Sequence, residues 1–168
     1  MDNSDINKIC KNIYNQLKSN NNGDVADYIP QLASVNPNKF AISICHVNGE
    51  IENFGDFNDS FCLQSCSKPL SYCIARELNN LEKIHKHVGY EPSGQAFNAF
   101  TLNRDKLPHN PMINAGAIMI ASLIEPEKEP SERFDLIRNF YQKMTGNIGK
   151  IGFDNSVFLS EKHHADRN

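Results

Sequence analysis

Residues 112–124, MINAGAIMIASLI, set the strongest limit on what this chain can fold into. The stretch is almost wholly apolar or small, and its apolar residues fall on every side of a helical wheel. A helix of that kind is stable only when it is covered all round. The segment therefore predicts a fully buried helix with the other elements packed about it. It falls well short of the roughly 20 apolar residues a membrane-spanning helix needs, and no other run in the chain approaches that length, so no membrane partner is expected.

The rest of the chain must supply that cover. Its 168 residues suit one domain or part of a larger one, and a hydrophobic share of 39% is enough for a core. The formal charge of −3 gives no basic footprint, so a nucleic-acid partner is not expected. Ile6, Ile9, Cys10, Ile13, Tyr14 and Leu17 recur at helical spacing, with Ser4 as the expected cap and SNNNGD as the loop that ends the helix. FAISICHVNGEIENFGD reads as a hairpin. Phe40, Ile42 and Ile44 alternate with smaller residues, and Asn48-Gly49 is the expected tight turn.

Ser65 to Asn79 reads as a helix that tolerates Pro69 near its start, and Leu81 to Val88 as a short helix stopped by Gly89. Phe134, Ile137, Phe140, Tyr141 and Met144 give a further amphipathic helix. The tail NSVFLSEKHHADRN is polar and reads as interrupted. The expected class is α/β (α+β): an N-terminal helix, a hairpin, then a mostly helical region. Residues 1–23 form the N-terminal helix and polar loop, and 24–168 the body.

The chemistry centres on FCLQSCSKPL, where Ser65 and Lys68 stand three residues apart. By itself the pair supports two readings, a surface serine beside a solvated lysine, or a nucleophile beside its base. A serine hydroxyl is a weak nucleophile and needs a neighbouring base. A lysine can serve if partial burial lowers its pKa from about 10.4 toward neutrality. Leu63, Cys66, Leu70, Cys73 and Ile74 are expected to bury this helix and to desolvate Lys68 in part. Spacing of i, i+3 brings the two side chains within reach of each other. The N–H groups of the helix start could hold a developing oxyanion.

Other candidate chemistry is weaker. His85 and His87 diverge on a helix, His163 and His164 lie in the polar tail, and neither His-Glu-x-x-His nor Cys-x-x-Cys occurs, so no metal is expected. Gly89, Gly94 and Gly116 do not form a phosphate loop. Five cysteines, at 10, 45, 62, 66 and 73, suit reduced and mostly buried thiols better than a disulfide framework. The N-terminus is polar and acidic, without the marks of a signal or transit peptide. The expected location is the cytoplasm.

DYIPQLA, FCLQSCSKPL, VGYEPSGQAFN, LPHNPMINAGAI and FLSEKHHADRN, in that order, closely resemble the serine-dependent glutaminases. The resemblance runs from about Asp24 to the last residue, and FCLQSCSKPL with PHNPMINAGAI looks more like the kidney and liver enzymes than the bacterial ones. It implies a β-lactamase/transpeptidase-like fold and hydrolysis of L-glutamine to L-glutamate and ammonia through a γ-glutamyl-serine intermediate, without a cofactor. Carried over residue by residue, it implies Ser65 as nucleophile and Lys68 as its activating base. Tyr28, Asn114, Glu161 and Asn168 match positions that hold the substrate.

Further expectations follow from the resemblance. Glu161 would pair with the ammonium of glutamine, and a homo-oligomer, a tetramer in the family, would be the assembly. A mitochondrial location is left open. In the family the DRN motif is followed by about as much catalytic domain again, so the chain is expected to be the N-terminal half of that domain and inactive alone. Two alternatives stand beside this reading. One is a catalytically dead partner that modulates assembly of a full-length glutaminase. The other is a different Ser-x-x-Lys amidase or β-lactamase-like enzyme.

Overall fold

The structure, a computed structural model, describes residues 2–96, 98–147 and 151–165. These form two compact units. One comprises Met1–Phe61 and Phe153–Asn168, the other Cys62–Gly152.

The first unit opens with α1, Asn3–Leu17. Its cap is Asp2, whose carboxylate accepts from the Asp5 amide at 2.9 Å, rather than the expected Ser4. An acid at this position also suits the positive end of the helix dipole. Tyr14, on the inner face of α1, stacks on Phe40 and Phe54 of the hairpin, with ring centroids 5.7 and 6.2 Å away. The hairpin pairs β1, Ala41–Cys45, antiparallel with β2, Ile51–Gly55, in the register Ile42↔Phe54 and Ile44↔Glu52.

Its turn differs from the expected two-residue type. The Gly49 amide donates to the His46 carbonyl at 2.8 Å, so Val47 and Asn48 are the central pair. Gly49 follows at φ +88°. A left-handed residue directly after a type I turn restores the twist the strands need, and glycine takes that conformation without a Cβ penalty.

Two helices of this unit were not expected. α2, Pro30–Ala33, starts at a proline, whose missing N–H costs nothing at a first helical position. α7, Asn155–Ala165, lies in the tail that reads as interrupted. Asp154 caps it by accepting from the amides of Ser156 and Val157 at 2.9 and 3.1 Å.

The second unit holds the apolar core. After a 3₁₀ turn, Gln64–Cys66, come α3, Ser67–Leu78, and α4, Leu81–His85. Then follow α5, Asn114–Ser122, and α6, Pro130–Met144. Ile74 and Ala75 of α3, Ile84 and Val88 around α4, and Ile120, Leu123 and Ile124 around α5 form one buried cluster, with Leu136, Ile137, Phe140 and Tyr141 of α6 packed against it. Asn79 ties the ends of α3 and α5, its Nδ2 donating to the carbonyls of Ala75 and Leu123.

Three expectations for this unit are corrected. α4 ends at His85, and Gly89 is there for close approach, since a Cβ on it would lie 2.6 Å from the His109 carbonyl oxygen. α5 is buried on one side only, because α3 packs against Ile120 and the Asn110–Pro111 backbone covers Gly116, while Ile118 is 71% exposed. Cys62, Cys66 and Cys73, like Cys45 in the first unit, are exposed free thiols rather than buried ones, and along α3 the inward positions go to Ile74 and Ala75.

Candidate functional site

Ser65 does not sit in the α-helix proper. It lies in the 3₁₀ turn that leads into α3, and it is exposed. Periodicity alone cannot separate the two, because i→i+3 and i→i+4 bonding share a side-chain spacing over so short a run. Gln64, just before Ser65, has φ +48°. A non-glycine residue held in the left-handed region costs about 1 kcal/mol or more, and such strain concentrates at functional sites. The Cys66 amide donates to the Leu63 carbonyl at 3.1 Å, and the Ser67 amide to the carbonyls of Gln64 and Ser65. Those amides are therefore used within the turn rather than offered to an oxyanion.

Lys68 is the second residue of α3 and is half-buried. Its Nζ donates to Asn114 Oδ1 at 2.7 Å. Removal from water pulls its pKa below the usual lysine value, because burial disfavours the ammonium more than the neutral amine. Asn114 is the first residue of α5, so packing of α5 on α3 is what brings these two side chains together.

A second pairing lies in the other unit. The Tyr28 hydroxyl, from the segment before α2, donates to Glu161 Oε1 on α7 at 2.6 Å. The Tyr28 ring also stands 5.2 Å from that of His164. A carboxylate accepts at about four positions, so this bond orients Glu161 and leaves it capacity for a cation. Thus the structure pairs Lys68 with Asn114 and Tyr28 with Glu161, while Asn168 lies outside the described residues.

Asn110 was not singled out by its sequence. Its Oδ1 accepts from the amides of Met112 and Ile113 at 2.9 and 3.2 Å, and its Nδ2 donates to the Glu91 carbonyl at 3.0 Å. An Asx turn before a helix start is a legible signal, although the neighbouring Pro111 masked it as an ordinary loop. Among the described residues no group of three or more His, Cys, Asp and Glu side chains could hold a metal ion, and no helix is long and apolar enough to cross a membrane.

A sequence profile of the Glutaminase family matches residues 23–168. The chain is 48% identical to the putative glutaminase 3 of Caenorhabditis elegans, over 93% of this chain and 27% of that protein. It is 44% identical to the mitochondrial liver isoform of Mus musculus glutaminase, over 93% and 26%. With a glutaminase of Nostoc sp. the identity is 40%, over 96% and 48%. The chain thus spans between about a quarter and a half of the length of these relatives.

Among solved structures, the probable glutaminase ybaS superposes with a TM-score of 0.89 at 29% identity, covering all of this chain and 54% of that one. The native form of Mglu gives 0.86 at 33%, covering 97% and 39%. The expected fold therefore holds: the chain has the β-lactamase-like architecture of these glutaminases.

Proposed function

The chain belongs to the glutaminase family, and from that premise we propose that it carries the nucleophile and its base for hydrolysis of L-glutamine to L-glutamate and ammonia. The observation that carries this reading is Lys68. Partial burial lowers its pKa from the ordinary lysine value, it is bonded to Asn114, and only the junction between the 3₁₀ turn and α3 separates it from Ser65. In the proposed reaction neutral Lys68 takes the Ser65 proton as the hydroxyl oxygen attacks the side-chain carboxamide carbon. A neutral amine still donates a hydrogen to Asn114 Oδ1 while presenting its lone pair as base.

The tetrahedral oxyanion takes a donor from the Ser65 amide, since those of Cys66 and Ser67 are engaged. Collapse breaks the carbon–nitrogen bond, and the departing nitrogen takes the proton from Lys68 and leaves as ammonia. Water then cleaves the γ-glutamyl ester on Ser65, with Lys68 again accepting a proton and returning it to the serine.

Glu161, oriented by Tyr28, is assigned to the α-ammonium of glutamine. The Asn114 amide, with Nδ2 as donor, is assigned to the polar substrate atoms. Asn168 is assigned to the same task through its motif alone. Residues 24–168 count as part of a glutaminase catalytic domain. A homo-oligomer, a tetramer by family relation, and a cytosolic site of action complete the reading, the latter supported by five free cysteines.

The activity is tested with this chain joined to the portion of the Nostoc glutaminase that it does not span. Lys68→Ala is expected to slow ammonia release by about 10²–10⁴. Glu161→Gln is expected to weaken glutamine far more than an analogue lacking the α-amino group. Equal rates with and without Lys68, or equal losses for both ligands, would refute these roles.

A further inference from the structure

We propose that Asn110 is a positioning residue that fixes Asn114 against Lys68. The proposal rests on the roles given above to Lys68 and Asn114. Asn114 owes its place to the start of α5, and nothing in α5 itself caps that start. The residue before it, Ile113, has no side-chain acceptor to offer. Unpaired N–H groups at a helix start must find partners elsewhere.

Asn110 supplies one from outside the helix, for the amide of the cap residue Ile113, and holds the residue before it as well. Its Oδ1 holds the amides of Met112 and Ile113, and its Nδ2 anchors the same side chain to the Glu91 carbonyl. The amide thereby joins the loop at residue 91 to the two residues that lead into α5. The backbone of Asn110 is part of the same fixture. Its carbonyl oxygen lies 1.8 Å from where a Cβ on Gly116 would stand, so the first turn of α5 rests on this peptide. Both contacts fix where α5 starts, and so where Asn114 Oδ1 meets the Lys68 ammonium at 2.7 Å.

Loss of the Asn110 side chain frees the two amides and the Glu91 carbonyl, and the start of α5 loosens. Lys68 then loses a fixed acceptor for its charged form while its packing on α3 remains. The ammonium is less favoured, so the amine is neutral in a larger fraction of molecules and reacts faster with an acylating reagent.

The test is competitive acetylation of the chain by trace acetic anhydride at pH 8, with the Lys68 peptide quantified by mass spectrometry. Asn110→Ala is expected to raise Lys68 modification by about threefold or more, given that hydrogen bonds to charged groups are among the stronger ones. Asn110→Ser keeps an oxygen that accepts from the following amides, and should restore most of the wild-type rate. Lys68 modification in Asn110→Ala equal to or slower than wild type overturns the proposal, as does an equal rise in both variants, which marks mere packing.

A measurement on the wild-type chain keeps the proposal decidable if a variant fails to fold. The amides of Met112 and Ile113 should be protected from hydrogen exchange although both precede the helix, and free exchange at both overturns it. None of these readouts needs turnover. A chain in which Ser65 proves unreactive while the Lys68 results come out as expected would refute the nucleophile and leave the positioning role standing.

Discussion

Replacing Gly116 by alanine sets two physical effects against each other, and their balance can be worked from the structure. Helix propensity favours alanine over glycine by about 1 kcal/mol in a helix interior. Packing opposes it. The new Cβ would stand 1.8 Å from the Asn110 carbonyl oxygen, 2.7 Å from its carbonyl carbon and 3.2 Å from Pro111 Cα. All three are backbone atoms, so no side-chain rotation relieves the clash. To reach even 3.0 Å, below which real Cβ contacts are essentially unknown, α5 and the 110–111 peptide must separate by about 1.2 Å.

Overpacking of a well-filled site costs about 1–3 kcal/mol, with rigid backbone neighbours at the upper end. The net expectation is destabilisation by about 2 kcal/mol. The same separation displaces Asn114, at the start of α5, from the geometry of its 2.7 Å bond to Lys68. Urea denaturation followed by far-ultraviolet circular dichroism measures the first effect as a fall in midpoint at unchanged slope. Gly23→Ala is the control, because a Cβ there meets nothing within 4 Å. A Gly116→Ala chain as stable as wild type, or more stable, would mean that propensity wins and that the close approach of α5 to Asn110 is not as described.

Further outcomes follow from individual bonds. Burial lowers the Lys68 pKa in the folded chain, so the unfolded chain binds more protons in the window between the folded value and the ordinary lysine value near 10.4. The associated destabilisation is fully present below the folded pKa and disappears as pH rises past the unfolded one. Wild type should therefore gain stability relative to Lys68→Met as pH rises from 8 to 11, and parallel pH profiles would contradict this. A double-mutant cycle of Tyr28→Phe and Glu161→Gln should show a coupling of about 0.5–1 kcal/mol for their largely exposed bond; additive effects would mean that the bond is not formed in solution. Arg133 donates from Nε to the Ile124 carbonyl at 2.9 Å and from a terminal nitrogen to the Ala121 carbonyl at 2.6 Å, closing the C-terminal end of α5. Arg133→Ala should cost about 2 kcal/mol in urea midpoint analysis, and a loss below about 0.5 kcal/mol would assign those carbonyls to solvent.

How much could be read beforehand depended on whether a residue's place was set by local pattern or by a distant partner. α1, the hairpin, α3 and α6 follow from periodicity and caps, and the structure has them within a few residues. Ser65, Lys68, Tyr28, Asn114 and Glu161 could be chosen because each sits in a long motif. Their pairing could not be chosen that way. Nothing local in DYIP indicates that Tyr28 meets a glutamate 133 positions later, or that Lys68 meets Asn114 across 46.

α7 escaped the reading because its sequence is mostly polar, although Asp154 ahead of Asn155-Ser156 is a legible cap. α5 erred the other way. Composition reports how well a helix tolerates burial, whereas the element that packs on it decides which side is buried, and here that element is α3. The turn at Ser65 was invisible for a third reason. Its distinguishing feature is the positive φ of Gln64, and glutamine carries no preference for that conformation.

The central claim is that Ser65 is a nucleophile activated by Lys68, and covalent labelling tests it most directly. The chain joined to the unspanned portion of the Nostoc glutaminase is incubated with an electrophilic glutamine analogue bearing a reactive ketone in place of the carboxamide, and the adduct is located by peptide mass spectrometry. The account predicts a single adduct on Ser65, absent in Ser65→Ala, slowed at least about a hundredfold in Lys68→Ala, and suppressed by excess L-glutamine. An adduct that persists in Ser65→Ala, or forms at full rate without Lys68, would contradict it.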